Sequence, residues 1–269
     1  MLRKTFFLIN GKYMKVIILA GGFGSRLSEY TESIPKPMVT IGNKPILFHI
    51  MNYYYKFGFK EFIIALGYKS EIIKEYFLNY SALNSSFTIN LKNNDIQIHG
   101  KIKLDWTVSL VDTGLNTMTG GRLLRLKEYI GKNNFMLTYG DGLSDINLRK
   151  LVKFHKKHKK VVTLTAVHPP ARFGELKLSG NVVKSFQEKP QLQDGWINGG
   201  FFVLNKKFIK YIPKKNVQIE REPLTKAAEK KQFMAYKHTS FWYCIDNRRD
   251  LKVIERMCRK GKEPWNKLS

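Results

Sequence analysis

"KVIILAGGFGSRLSEYTESIPKPM", residues 15–38, is the stretch on which the reading of this chain turns. Its first six residues make a continuous apolar run of strand length, and three glycines follow within four positions. Glycines expose backbone N–H groups and permit positive φ, so such a loop can wrap a polyphosphate. Arg26 adds a planar, permanently charged fork that matches phosphate oxygens. Lys36 sets a second cation on the stiff segment between Pro35 and Pro37. A glycine-rich turn after a strand is more often structural than functional. The two cations at this spacing move the reading toward a nucleotide loop made of Leu19, Ala20, Gly21, Gly22, Phe23, Gly24, Ser25 and Arg26, with Lys36 beside it. Neither GxxxxGK[ST] nor GxGxxG is satisfied, which excludes a P-loop ATPase and a dinucleotide dehydrogenase.

Outward from this stretch, strand and helix patterns alternate. "PILFHIMNYYYKFG" (45–58) has proline at its start, helical apolar spacing and glycine at its end. "EFIIALG" (61–67) reads as a buried strand, and "SEIIKEYFLNY" (70–80) as a helix with Ser70 as its N-cap. Residues 86–100 read as two alternating strands around an Asn-Asn-Asp turn, and "TVSLVD" (107–112) as a core strand. One helix is expected over 120–131, a buried strand in "NFMLTYGDG" (134–142), a helix over 147–159 and a strand in "VVTLTAV" (161–167). Short strands follow in "GELKL", "NVVKSFQEK" and "GGFFVLN". Short helices are then expected before "FWYCID", and a helix over 248–259 after it. The order implies an α/β fold: a Rossmann-like wound mixed sheet flanked by helices, with a β-rich C-terminal region.

Composition bounds the function. The chain has 269 residues, 43% of them hydrophobic, enough for a sizeable core. No apolar run approaches the roughly 20 residues that cross a bilayer, and the start lacks a signal-peptide core, so a cytoplasmic location is expected. Residues 1–13 read as an N-terminal extension and 14–269 as a single domain. Two cysteines 14 apart, Cys244 and Cys258, suit neither a zinc site nor a disulfide framework. The net charge of +26 admits nucleic acid, anionic membrane or anionic small molecules as partners. Of the 47 basic residues 36 are lysine, spread along the whole chain, whereas phosphate and base readers concentrate arginine and aromatics. No nucleic-acid or membrane partner is expected.

Asp141, between Gly140 and Gly142, ends a buried strand where wound sheets bind ligands, and the glycines leave room for one. A turn aspartate and a Mg²⁺ ligand are equal readings of it on these grounds alone. Glu188 and Lys189 at a strand end read as a solvated pair. Arg122 reads as a surface residue or a phosphate contact, with Thr119 capping its helix. Phe173, Trp196 and Trp242 read as packing or rim residues.

Together "LAGGFGSRL…PKPM", "YGDG", "FQEKP" and "NGGFFVLN" resemble the signature of the sugar-nucleotide pyrophosphorylases, nucleotidyltransferases acting on sugar 1-phosphates. The resemblance runs from Met14 onward. Within that family "LVDTGLNTMTGGRL", "RFGEL", "EPL" and "GKEPWNK" look like the members that join CTP to α-D-glucose 1-phosphate. The resemblance implies Mg²⁺ held by Asp141 and the remote Asp246 of "FWYCID", with Arg26, Lys36 and Asp141 catalytic. It places Asn116 and Gly121 at the base and Gly140 against the nucleotide. Gly174, Glu188, Lys189, Asn198 and Gly199 fall at the sugar phosphate. Residues 14–145 would then serve mainly the nucleotide and 146–269 mainly the sugar phosphate. It further implies a homo-oligomer and a product, CDP-glucose, that feeds deoxysugar synthesis for surface polysaccharide. Around Asp246 the chain departs from the usual pattern, with Tyr243 in place of Gln and Asn247 in place of Thr.

Overall fold

The computed structural model describes residues 8–9, 12–100, 104–169, 175–187 and 195–267. Seven strands build the main sheet and alone are numbered: β1 Val16–Leu19, β2 Glu61–Leu66, β3 Thr107–Asp112, β4 Phe135–Tyr139, β5 Val162–Val167, β6 Ile197–Leu204 and β7 Phe233–His238. Their order is β7-β5-β6-β4-β1-β2-β3. The strands β4, β1, β2 and β3 are parallel neighbours; β6 runs antiparallel to both β4 and β5, and β5 pairs in parallel with β7. The sheet is therefore mixed, as the element order implies.

The continuous apolar runs exist because this sheet is covered on both faces. Val16 and Ile18 of β1 join one core cluster while Ile17 and Leu19 join the other, so each residue of the strand is buried on one side or the other. The first cluster is closed by helices α1 (Ile46–Lys56), α4 (Leu148–His158) and α6 (Arg248–Arg259), through residues such as Ile50, Leu151 and Ile254. The second is closed by α3 (Thr119–Arg125) and α5 (Glu222–Glu229), through Leu123 and Leu224. Each such side chain stabilises the fold by roughly 1.5–3 kcal/mol. Helix α2 (Ser70–Leu78) contributes Ile73 to the first cluster.

Four expectations are corrected. The strand read as core, β3, is the edge of the sheet and only half-buried. Helix α2 begins at Ser70 rather than being capped by it; Lys69, at φ 49°, precedes it, and no side chain caps the helix. The helix expected over 120–131 is two short ones, Thr119–Arg125 and Lys127–Ile130. The stretch before "FWYCID" contains a strand, β7, which docks in parallel on β5 and extends the sheet. The C-terminal strands are thus divided between the main sheet and small antiparallel pairs: Glu175–Ser179 with Val182–Gln187, and Gly142–Ser144 with Trp242–Cys244. Among the described residues no helix is long and apolar enough to cross a membrane.

Candidate active site

The site forms where β1 and β4 end. Parallel strands leave their C-terminal loops on one edge, and the winding order reverses at β1, with β2 and β3 on one side and β4 on the other, which opens a crevice there. Gly21 follows β1, and its carbonyl accepts from Tyr68 N–H at 3.1 Å and from Arg122 Nη2 at 2.8 Å. A Cβ on Gly21 would lie 2.2 Å from the guanidinium, so only glycine fits beside it. Lys36 opens a short 3₁₀ turn after the extended Pro35, and that turn aims its ammonium under the loop.

Lys36 Nζ donates to Asp141 Oδ2 at 2.6 Å and to Asp246 Oδ1 at 2.8 Å, with the lysine side chain 11% exposed. Burial alone would lower its pKa, but the Asp141 charge and hydrogen bonds to both carboxylates outweigh burial and raise it above 10.5. Arg26 Nη1 reaches the other side of Asp246, at 2.5 Å from Oδ2, from a side chain 75% exposed. Asp246 arrives through the small pair: Gly142 lies opposite Cys244, and Ile245 N–H donates to Asp141 O at 3.0 Å. The backbone of Asp246 is fixed by the helix that follows. Asn247 and Asp250 form a capping box on α6, and Asp250 Oδ2 also accepts from Asp246 N–H at 3.0 Å. Asn247 therefore does for the helix start what a threonine can do, and Tyr243 donates to Asp250 Oδ1 at 3.2 Å.

Asp141, Cys244 and Asp246 offer ligand atoms within 4.8 Å of one another. Burial, then the two aspartate charges, push the Cys244 thiol well above its usual range, so it stays protonated. Two hard carboxylates that already converge on one cation, the Lys36 ammonium, suit an oxygen-seeking divalent ion and not a thiolate-seeking one.

Two cavities meet at this point. The first, about 580 Å³, is walled by residues 19–26, Lys36, Asn116, Thr119, Gly140 and Asp141. The second, about 740 Å³, is walled by Asn198, Gly199, Gly200, Trp242, Asp246 and Arg249. Arg26, Tyr139 and Asp141 line both. Most of the residues expected at a nucleotide are thus gathered in the first cavity, and Asn198 and Gly199 in the second. Gly121 is buried behind Thr117 and Asn216 and does not line the first cavity. Gly174, Glu188, Lys189 and Phe173 lie outside the described residues. Trp242, expected as packing, forms part of the second cavity and donates from Nε1 to Gly199 O at 2.7 Å.

Arg122 is neither a surface residue nor an open fork. It is 4% exposed, and its guanidinium donates to the carbonyls of Gly21, Leu66, Gly114 and Leu115 and to Thr113 Oγ1. It ties the glycine loop to the loop after β3. Thr119 does not cap α3; its hydroxyl donates to Glu220 Oε2 at 2.7 Å and accepts from Ile219 N–H.

Sequence reading missed Tyr139, Glu220 and Asn216. Tyr139 donates to Glu220 Oε1 at 2.5 Å and accepts from Asn198 Nδ2 at 3.2 Å; burial and then the Glu220 charge raise the phenol pKa, keeping it a donor. Glu220 thereby links Thr119 of the first cavity, through Tyr139, with Asn198 of the second. Gly200, at φ 77°, is needed because a Cβ would lie 2.7 Å from the Tyr139 ring. Asn216 accepts from Met118 N–H and donates to Asn116 O, ordering the loop that walls the first cavity. The "YGDG" signature was the one available signal for Tyr139; nothing local marks the other two.

The chain is 49% identical to a glucose-1-phosphate cytidylyltransferase of Salmonella typhi, over 94% of this chain and 98% of that protein. It is 43% identical to a probable glucose-1-phosphate cytidylyltransferase of Bacillus subtilis, over 94% and 99%. Among solved structures it resembles HddC from Yersinia pseudotuberculosis, with a TM-score of 0.65, 26% identity, and coverage of 91% of this chain and 99% of that one. With the nucleotidyl transferase family model matching residues 15–243, which span the main sheet and the first cavity and end before Asp246, the chain belongs to the nucleotidyl transferase family.

Proposed function

We propose that this protein is a glucose-1-phosphate cytidylyltransferase, converting CTP and α-D-glucose 1-phosphate to CDP-glucose and diphosphate. The observation that carries the reading is the meeting of two cavities at Arg26 and Asp141, with Lys36 buried beneath. A nucleotide in the first cavity and a sugar phosphate in the second bring two anions together at that junction. A phosphate oxygen of the sugar attacks the α-phosphorus in line; the bond to the β-phosphate oxygen breaks and diphosphate leaves with its electron pair. The substrate supplies its own nucleophile, so the residues need only position the reactants and cancel charge.

The loop from Gly21 to Ser25 presents backbone donors to the triphosphate, and Arg26 and Lys36 turn from the aspartates toward its oxygens. Asn116 stands at the base and Asn198 at the sugar, the latter oriented by Tyr139. Asp141 and Asp246 would hold Mg²⁺, which when bound neutralises charge on the α-phosphate region. The carboxylates then lose Lys36 and Arg26 as partners without being left uncompensated.

Purified protein with Mg²⁺ and glucose 1-phosphate, supplied in turn with CTP, UTP, dTTP, GTP and ATP, tests this. Diphosphate release with CDP-glucose formation should be greatest for CTP. A larger kcat/KM for another nucleotide reassigns the base, and no diphosphate from any of the five removes the reaction.

A further inference from the structure

The end of the sheet opposite the active site is strongly basic. Strand β6 runs from Asn198 at the second cavity to Leu204, and Asn205 beyond it lines a further cavity, about 20 Å away along the strand. That cavity, of about 850 Å³, is walled by Lys159, Lys160, Lys207, Lys210, Lys226 and Lys230. One acid, Glu229, stands against them. Fewer than one residue in seven of the chain is lysine, 36 of 269, yet lysine supplies six of the eleven residues that line this cavity. They converge from three segments. These are the end of α4, where the run "KFHKKHKK" (153–160) finishes, the 3₁₀ turn Lys206–Tyr211 after β6, and the last turns of α5.

A solvated lysine surface does not account for this arrangement. Cations suit a helix C-terminus, which explains Lys159 and Lys230. Lys207 lies in the first turn of the 3₁₀ helix, the end at which the peptide dipoles oppose a cation. Lys159, at φ 58°, and Lys231, at φ 53° between two lining residues, form the left-handed turns that end α4 and α5, where glycine would be free of strain. Lys226 is paired with Glu222 at 2.7 Å. Among the described residues no carboxylate forms an ion pair with the other five. Lys230 Nζ sits 5.5 Å from the centre of the Tyr211 ring, which stacks on the buried Phe208. Five ammonium groups without a carboxylate partner thus surround one recess, and one of them is held against an aromatic wall.

We infer that this cavity is a second anion site, taking a free small molecule with two or three adjacent phosphates, and that its occupant restrains the segment that walls the first cavity. Lysine is a point charge suited to phosphate, whereas the arginine fork matches carboxylates, and no arginine lines this cavity. Several ammonium groups around one recess call for several negative charges within a short span. The volume lies in the range of small-molecule sites. A nucleic-acid strand would need an open groove with aromatic faces for its bases, and the aromatic face here is taken by Lys230. The restraint follows from the chain path. Residues 205–232 begin and end at this cavity, while their middle reaches the active site. There Asn216 orders Met118 and Asn116, Gln218 lines the first cavity, and Glu220 bonds Thr119 and Tyr139. An anion bridging Lys207 or Lys210 to Lys230 closes that segment into a loop, so the two cavities affect each other's affinity reciprocally. The binding does not depend on which reaction the active site performs.

Inorganic triphosphate, titrated without Mg²⁺ into the full chain at constant ionic strength, tests this by calorimetry and hydrogen exchange. Triphosphate should slow exchange at residues 205–211 and 226–232, and also at 216–220. Lys207→Gln with Lys210→Gln and Lys230→Gln should weaken this binding roughly tenfold or more and abolish the protection, with an unchanged melting temperature. Binding that the triple substitution leaves intact, protection confined to 19–26 and 116–122, or the same protection from sodium chloride alone overturns the site. Retention on phosphatidylserine vesicles or on single-stranded RNA through these lysines, with no uptake of free triphosphate, overturns the small-molecule assignment. Protection at the cavity with none at 216–220 refutes the restraint. Should the triple variant fold poorly, the exchange pattern of the wild type decides alone.

Discussion

Replacing Lys36 with Met, Lys36→Met, isolates the cation on which the site is built. In the wild type its ammonium lies 2.6 Å and 2.8 Å from two carboxylates whose ligand atoms, with that of Cys244, fall within 4.8 Å of one another. Without it, two negative charges within 4.8 Å of each other repel by at least about 3 kcal/mol at an effective dielectric constant near 20. Arg26 does little to relieve this, because its side chain is 75% exposed and such pairs contribute under ~1 kcal/mol. The variant should be less stable by about 3 kcal/mol at neutral pH, a fall in Tm of about 6–10 °C. The sign with pH is definite. A lysine whose folded pKa is raised contributes fully below 10.5, and that contribution is lost only as pH climbs past the raised value.

Turnover should fall by roughly 10²–10³, the usual cost of removing one fixed charge from a reacting phosphate. Mg²⁺ separates the two effects. With the competing ammonium gone, the paired aspartates bind the divalent ion more tightly, and saturation near 100 times its Kd returns about 2.7 kcal/mol. Scanning calorimetry with and without Mg²⁺, beside diphosphate-release kinetics, should show stability recovered and activity not. Wild-type turnover in the variant, an unchanged Tm without Mg²⁺, or a Tm indifferent to Mg²⁺ would each refute the reasoning.

Arg122→Met removes a donor from five buried or half-buried acceptors, of which Gly21 O and Leu66 O keep another, and should cost about 4 kcal/mol, read as a Tm lower by about 10 °C; Arg122→Lys should rescue little, since one ammonium cannot span carbonyls on separate loops. Glu220→Gln puts an N–H where one hydroxyl now donates, so that bond must reverse or break, and kcat/KM should fall about tenfold with KM rising for both substrates; a change confined to one substrate would show that Glu220 does not link the cavities. His155 is buried against Thr163, and burial, then the charge of His158, depress its pKa to about 4. The folded state thus refuses a proton that the unfolded chain accepts, and stability is whole above pH 6.5 and falls by roughly 3 kcal/mol as pH drops toward 4. His155→Gln should flatten the denaturant-unfolding free energy over that window; an unchanged slope would show His155 titrating normally.

The strands were legible where burial is two-sided. "KVIILA" and "EFIIALG" carry no alternation, because residues of both parities are covered. Rank in the sheet was not legible: "TVSLVD" has the composition of a central strand and lies at the edge, which depends on what pairs with it rather than on what it contains. Strand β7, "FMAYKH", hid for a related reason, being half-buried, bearing Lys237, and defined by its pairing with β5. The loop, Lys36 and Asp141 were legible because their chemistry is local. Asp246 was paired with Asp141 only through resemblance, since the three-residue strands that join them have no pattern of their own. Arg122 is defined by partners from three separate segments and Glu220 by partners from two, and no window of sequence contains those.

Net charge over the whole chain does not describe the site. Across the chain lysine and arginine outnumber acids by 26, a count that would direct attention to nucleic acid or membrane. At the junction of the cavities the balance is even, Arg26 and Lys36 against Asp141 and Asp246. An evenly balanced cluster does not attract a polyanion strongly by its field alone. On the proposed function it would become attractive once a divalent ion took over the carboxylates and freed both cations for phosphate. On that proposal phosphate affinity at this place would be governed chiefly by these four residues and one exchangeable ion, since charges farther than a Debye length away are screened.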